Sequence, residues 1–147
     1  MEKALILKII TPRGIVFKDE VRSVTAPSFS GDITILYNHT PLFSLLKEGV
    51  VKVRKNEEEY YFSIGGGYLE TTGKEVNLLV SRAYGQDEID EESVKKAKEE
   101  AEKLLKESKT EKERRKAMAS LRRSFIDLKV LRFKRKKKRV FQELDKE

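Results

Sequence analysis

The chain contains no cysteine in 147 residues, which removes a disulfide framework and thiolate chemistry. One histidine, His39, leaves neither a second member for a histidine-based dyad nor an ordinary transition-metal ligand set, so no metal site is expected. No apolar run approaches the length that spans a bilayer. Met1-Glu2-Lys3 lacks the basic segment and apolar core of a signal peptide. These absences point to a cytoplasmic protein with no direct membrane insertion. Glycine and proline are missing from one part of the chain only: all eight glycines and all three prolines precede Gln86. Residues 87–147 therefore carry no internal helix breaker.

Charge divides the chain at the same place. Up to Gln86 there are 11 Lys and Arg against 10 Asp and Glu, and from Asp87 onward 21 against 15. A turn-rich segment, 1–86, thus precedes a charged one, 87–147. In the first, short apolar or alternating runs at Leu5–Ile10, Val21–Ala26, Ile33–Leu36, Val50–Val53, Tyr60–Ile64 and Val76–Val80 are separated by turn residues. Several short strands at close spacing predict an antiparallel β-sandwich. Both faces of many strands are apolar, so little of the sheet should be left in water.

In the second segment the period changes. Val94, Ala97, Ala101, Leu104 and Leu105 recur at helical spacing, with Asp87 and Asp90 as plausible caps. Ser108-Lys109-Thr110 interrupts the pattern, and Thr110-x-x-Glu113 has the form of a capping box opening a second helix. Met118, Leu121, Phe125, Leu128 and Leu131 form the main stripe of that helix. So short a connection predicts an antiparallel helical hairpin, and the whole chain is α+β. The first helix offers one Val and two Leu as large apolar groups, each contributing roughly 1.5–3 kcal/mol on burial. Ordering costs about 1–2 kcal/mol for every residue of backbone. The hairpin is therefore expected to lean on a partner surface and to be mobile.

No catalytic constellation emerges. Gly65-Gly66-Gly67 is followed by no Lys-Ser/Thr and opens no helix, so it reads as a turn or bulge between strands that uses glycine's freedom at positive φ. Glu57, Glu58 and Glu59 suit a solvated loop, and Asp90, Glu91 and Glu92 suit the positive end of a helix dipole. Neither cluster has the apolar setting that raises a carboxylate for acid–base work. The sharpest charge feature is basic: eight Lys or Arg and no acid lie between Leu128 and Gln142, densest from Arg132 to Arg139. Composition alone allows nucleic acid, anionic lipid or an acidic protein surface. Phe133 and Phe141 are the only aromatics in that stretch, and their spacing equally suits helix packing.

The ordered series of motifs resembles one family. Gly31-Asp32-Ile33-Thr34-Ile35-Leu36-Tyr37-Asn38-His39-Thr40-Pro41-Leu42 is similar to a segment of the epsilon subunit of bacterial-type rotary F-type ATP synthases. Ser63-Ile64-Gly65-Gly66-Gly67-Tyr68-Leu69-Glu70 resembles that family's Ser-Gly-Gly-x-Leu-Glu element with one extra residue. Val76-Asn77-Leu78-Leu79-Val80-Ser81-Arg82-Ala83 resembles the strand that ends its β domain, and a charged hairpin comes after Ile89-Asp90 in both. The likeness runs from about Leu5 to about Lys138.

The resemblance implies a noncatalytic central-stalk subunit of a proton- or sodium-translocating ATP synthase, peripheral at the cytoplasmic face of the inner membrane. Residues 1–86 would bind the γ subunit and face the c ring, with Asp32 and His39 as c-ring contacts. Residues 87–147 would form a mobile regulatory hairpin restraining ATP hydrolysis at the α and β subunits, with Arg122, Arg123, Lys129 and Arg132 as inhibitory basic contacts. Some members bind ATP in the hairpin through Ile/Leu-Asp-x-x-Arg-Ala. Here the stretch is Ile89-Asp90-Glu91-Glu92-Ser93-Val94, with Ser93 in place of Arg. Arg123 falls where a phosphate-side arginine is expected, and Asp127 replaces another. A residual nucleotide site would rest on Ile89, Asp90 and Arg123, with weak ATP binding or none, so no cofactor is implied. The competing expectation is a β-sandwich binding module whose basic helical tail attaches to nucleic acid or ribosomes. The acidic partner that the family supplies requires no nucleic acid.

Overall fold

The computed structural model describes residues 3–146, and the side chain of Phe141 lies outside what is described. The chain divides into two compact units, Met1–Gln86 and Asp87–Glu147. The first is all β: β1 (Leu5–Thr11), β2 (Gly14–Val21), β3 (Ser23–Ser28), β4 (Gly31–Leu36), β5 (Leu42–Leu46), β6 (Gly49–Lys55), β7 (Glu58–Ile64), β8 (Gly67–Thr71), β9 (Glu75–Val80) and β10 (Ala83–Gly85). Hydrogen bonding runs in the order β10-β7-β6-β3-β5-β8-β9-β1-β2, with β4 paired to β3. A single pair, Ser28 with Leu46, joins β3 to β5. The path therefore has two halves, one built on β3, β4, β6, β7 and β10 and the other on β5, β8, β9, β1 and β2. Pairing is antiparallel except between β1 and β9.

Alternation along the strands fills the space between the two halves. Leu5, Leu7 and Ile9 of β1 meet Val76, Leu78 and Val80 of β9 and Leu69 of β8 in one cluster with Val24, Ile35, Val51, Val53, Phe62 and Ile64. Phe17 joins from β2, its ring edge-on to Phe62 at 5.2 Å. The six runs anticipated from sequence are strands, and β2, β5, β8 and β10 are additional. Glu58 and Glu59 belong to β7 and not to a loop, because the β6–β7 turn closes on Asn56, a residue at φ 55°.

Gly65 and Gly66 connect β7 to β8 and Gly67 opens β8, as a connection between strands, but the cause differs from the one anticipated. Positive φ among glycines occurs at Gly14, Gly31 and Gly73, not at residues 65–67. What Gly65 and Gly67 supply is the missing side chain. A Cβ on Gly67 would lie 1.9 Å from the Leu79 carbonyl oxygen, and one on Gly65 would lie 2.0 Å from the Ser81 hydroxyl. This corner is pressed against the β9–β10 connection, with Gly65 N donating to Arg82 O and Ser81 N donating to Gly66 O, both at 3.0 Å.

The second unit is a helical hairpin, α1 (Glu91–Glu107) and α2 (Glu111–Leu144). Asp90 caps α1, accepting from Ser93 N at 3.1 Å. The other candidate cap, Asp87, pairs with Lys134 instead. At α2 the Thr110 hydroxyl accepts from Glu113 N at 3.1 Å, and the Glu113 carboxylate accepts from Lys109 N at 3.0 Å, a capping box displaced by one residue on its return leg. At 1.5 Å per residue α1 is about 26 Å long and α2 about 51 Å, so α2 runs well past its neighbour.

The stripes lie largely where anticipated: Val94, Ala101 and Leu131 are buried and Leu105, Met118, Leu121 and Leu128 half-buried, whereas Ala97 and Leu104 face solvent and Phe125 is 51% exposed. On α2, Ala117, Ser124, Asp127 and Val130 are buried in addition. Small residues let two helices approach closely, and a phenylalanine in the same seam would force them apart. Phe125 lies on the flank, with the Lys98 ammonium 5.2 Å from its ring centre.

Candidate interaction surfaces

The outer face of β5-β8-β9-β1-β2 carries an apolar row built by strand register. Leu45 pairs with Tyr68, Tyr68 with Leu79, Leu79 with Ile10 and Ile10 with Ile15, one residue from each of five neighbouring strands. Because directly paired residues point to the same side of a sheet, the five side chains form one band. Leu45 is 59% exposed and Ile15 58%, with the three between half-buried. Phe43, next outward on β5, is also exposed, and its ring lies 5.1 Å from that of Tyr68. The expectation that little of the sheet is left in water is not met at Phe43, Leu45 and Ile15 of this outer face, since the core of the first unit lies between its two halves. The row of residues two positions along is polar: Glu70, Asn77, Lys8 and Lys18 continue from Phe43 in register, and Asn77 donates to Glu70 at 3.2 Å. A contiguous apolar band edged by polar groups is the composition of a protein interface.

Asp32 and His39 occupy the two ends of β4. Asp32 is exposed at its start, beside the β3–β4 turn that carries Phe29, itself 73% exposed. His39 lies in the turn between β4 and β5, with Nδ1 2.7 Å from the Thr40 carbonyl oxygen. That turn is pinned to another: Asn38 N donates to Gly73 O at 2.7 Å, and Gly73, at φ 100°, leaves room for the His39 carbonyl. The chain is extended from Asp32 to Leu36 and then turns, with His39 N donating to Leu36 O at 3.1 Å.

On α2, Arg122, Arg123, Lys129 and Arg132 are all exposed. By helical rotation Arg122 and Lys129 point away from the buried stripe, while Arg123 and Arg132 flank it on opposite sides. The Lys129 ammonium lies 5.7 Å from the Phe133 ring centre, so that aromatic is engaged within the helix.

The nucleotide residues are not gathered at one level. Asp90 lies at the start of α1, where Asp87 meets Lys134 and Glu91 meets Arg135. Arg123 comes 11 positions before Lys134 in α2, so it lies roughly 17 Å along the hairpin from that level. The Asp90 carboxylate is held below the usual carboxylate range, first by the Ser93 hydroxyl and then by the Ser93 backbone amide. Ser93, where an arginine was expected, thus binds Asp90 as a cap. Asp127, at the other arginine position, is buried, and its Oδ1 has no hydrogen-bond partner. Sequence periodicity did not reveal this residue as buried, because an aspartate in an apolar register reads as a break in the stripe. Among the described residues there is no cluster of three or more His, Cys, Asp or Glu able to hold a metal ion.

A β-sandwich with an exposed apolar band on its outer face, followed by a helical hairpin, has the make-up of a subunit that packs into an assembly. Residues 4–86 match the family described as ATP synthase, delta/epsilon chain, beta-sandwich domain, and residues 87–130 match its long alpha-helix domain. The chain belongs to the ATP synthase delta/epsilon family, as an epsilon-type chain. The ATP synthase epsilon chain of Moorella thermoacetica is 38% identical over 128 residues, covering 86% of this chain and 96% of that one. That of Nitratidesulfovibrio vulgaris is 32% identical over 130 residues, covering 88% and 97%. A chain in the Euglena gracilis mitochondrial ATP synthase, solved by cryo-electron microscopy, has the same fold, with a TM-score of 0.74 at 23% identity over 86% of this chain and 80% of that one. The helical family match stops at residue 130, before Lys138, so Arg132 to Arg139 lies beyond it.

Proposed function

We propose that the chain is a noncatalytic rotor subunit of the central stalk of a proton- or sodium-translocating ATP synthase, with the catalytic residues on other chains. Its β-sandwich holds the γ subunit through the band Leu45-Tyr68-Leu79-Ile10-Ile15, and the ends of β4, Asp32 and His39, meet the c ring. The observation that carries this reading is that band: an apolar row crossing five strands on the outer face of the sheet, exposed at Leu45 and Ile15 and bordered by charge. Rotation is transmitted through such a grip without any chemistry in this chain.

The hairpin restrains ATP hydrolysis by setting Arg122, Arg123, Lys129 and Arg132 against an acidic segment of the β subunit within the α and β assembly. Among the described residues no helix is long and apolar enough to cross a membrane, which fits a peripheral position at the cytoplasmic face of the inner membrane. Reversing the four charges should relieve inhibition of ATP hydrolysis in the assembled enzyme without loss of the subunit from the complex. Inhibition in the unaltered enzyme should weaken as salt rises, because surface charge pairing is screened. Unchanged hydrolysis after reversal would remove the electrostatic brake from this reading.

A further inference from the structure

Four segments of the first unit converge on a groove of about 480 Å³. Lys3 comes from the approach to β1, Arg22 from the β2–β3 bend, Tyr37 and Asn38 from the β4–β5 turn, and Arg54 from the end of β6. Three cations thus line the groove, and among the described residues no acid does. Its walls are fixed by backbone: Arg22 N donates to Arg54 O at 2.8 Å, and Asn38 N donates to Gly73 O at 2.7 Å. The Lys3 ammonium lies 5.7 Å from the Tyr37 ring centre. Strand register sets Leu36, Ser23 and Arg54 side by side on one face, where Leu36 is 58% exposed. An apolar lip therefore stands next to the charge.

The acids nearby are engaged or lie to one side. Glu59, opposite Arg54 in the β6–β7 pairing, accepts from the Tyr61 hydroxyl at 2.6 Å. Glu57 and Glu58 line an adjoining groove, which shares Arg22 and Arg54 and also takes in Lys55, itself paired with Asp19. The side of unbalanced positive charge is the groove that holds Lys3.

We propose that this groove binds a phosphate group carried on a body with an apolar edge. The planar guanidinium fork of Arg54 matches phosphate oxygens two at a time, and the Lys3 ammonium adds a point charge. Leu36 and the Tyr37 ring receive the apolar edge, and the volume is that of an ordinary small-molecule site. Soluble phosphate esters and lipid headgroups both present this chemistry. The groove shares no residue with the hairpin or with the band from Leu45 to Ile15.

The test follows backbone amide signals of the full chain by NMR at constant ionic strength. The probes are inorganic phosphate, phenyl phosphate, and dihexanoylphosphatidylglycerol below its micelle concentration. Phenyl phosphate should shift the signals of Arg22, Ser23, Tyr37 and Asn38 saturably, and should bind more tightly than inorganic phosphate. Lys3→Ala and Arg54→Ala should each weaken that binding roughly tenfold or more. Lys55→Ala should leave it unchanged, because Asp19 holds that cation. Unmoved signals elsewhere in the sandwich show that each variant is folded. Tighter binding of the phosphatidylglycerol than of phenyl phosphate assigns the groove to a lipid headgroup, and the reverse order assigns it to a soluble ester. Shifts that grow linearly with every probe, or an equal loss in Lys55→Ala, would reduce the groove to diffuse positive charge and overturn the proposal.

Discussion

Replacing Asp127 by alanine should make the hairpin more stable, not less. Asp127 is 8% exposed on the side of α2 that faces α1, and its Oδ1 has no hydrogen-bond partner. A buried polar group left unsatisfied costs about 1–3 kcal/mol. Alanine removes that group and is roughly 0.5 kcal/mol or more better than aspartate in a helix interior. Little packing is lost, since the deleted side chain is short. The net expectation is a gain of about 1–3 kcal/mol, equivalent to a roughly 5- to 150-fold rise in protection of α1 amides against local opening. Hydrogen exchange on the intact chain reads this directly, with β-sandwich amides as an internal reference. Ser124→Ala is the control: its hydroxyl donates to the Ser120 carbonyl oxygen at 3.1 Å, so its removal relieves no unsatisfied group and should change protection little. Faster α1 exchange in Asp127→Ala would refute the reasoning and show that the carboxylate stabilises the hairpin.

The same geometry carries three further outcomes. A chain ending at Gln86 should remain folded, because the contiguous core cluster lies wholly within the first unit; loss of cooperative unfolding would show that the hairpin completes that core. Calorimetric titration of the full chain with ATP at moderate salt should show weak binding or none, and micromolar stoichiometric binding abolished by Asp90→Ala at unchanged helix content would defeat this. Because hydrogen bonds from Ser93 lower the folded-state pKa of Asp90 below its unfolded value near 3.9, the cap's contribution is complete above that value and is lost as pH falls through the folded pKa. Glu91 acts in the same direction, so Asp90→Asn with Glu91→Gln should flatten the acid loss of helix monitored by circular dichroism, Asn serving as a cap at every pH. An acid transition as steep as before would separate those two carboxylates from it.

Much of the sandwich was legible because its inner positions alternate: Leu5, Leu7 and Ile9 announce a strand with one buried face. The missed strands lack that mark. In β2 the charged residues Lys18, Asp19 and Glu20 dilute the pattern, β8 opens on a glycine, and β10 has three residues. In β5 the outward Phe43 and Leu45 beside Leu42 and Leu46 leave only Ser44 polar, so the alternation is hidden in a nearly apolar run. That run was the visible trace of the exposed band, but the band itself depends on register across five strands and so required the fold. The helices were legible from period and caps, and so were Val94, Ala101 and Leu131 of their seam. Sequence also ranks Phe125 by size, while the packed hairpin buries Ala117, Ser124, Asp127 and Val130 instead. The Asp87–Lys134 and Glu91–Arg135 pairs join residues more than forty positions apart, and composition carries no information about such a register.

The central claim is that this β-sandwich is one side of the grip on the rotor. Co-expression with the γ subunit of the same organism, followed by size-exclusion chromatography, measures it most directly. The full chain and the chain ending at Gln86 should each elute with γ at one-to-one stoichiometry. Leu45→Asp with Leu79→Asp should abolish the complex while leaving the thermal unfolding of the sandwich nearly unchanged, since both side chains lie on the outer face. A chain that elutes apart from γ, carries nucleic acid and leaves heparin only at high salt would contradict the account.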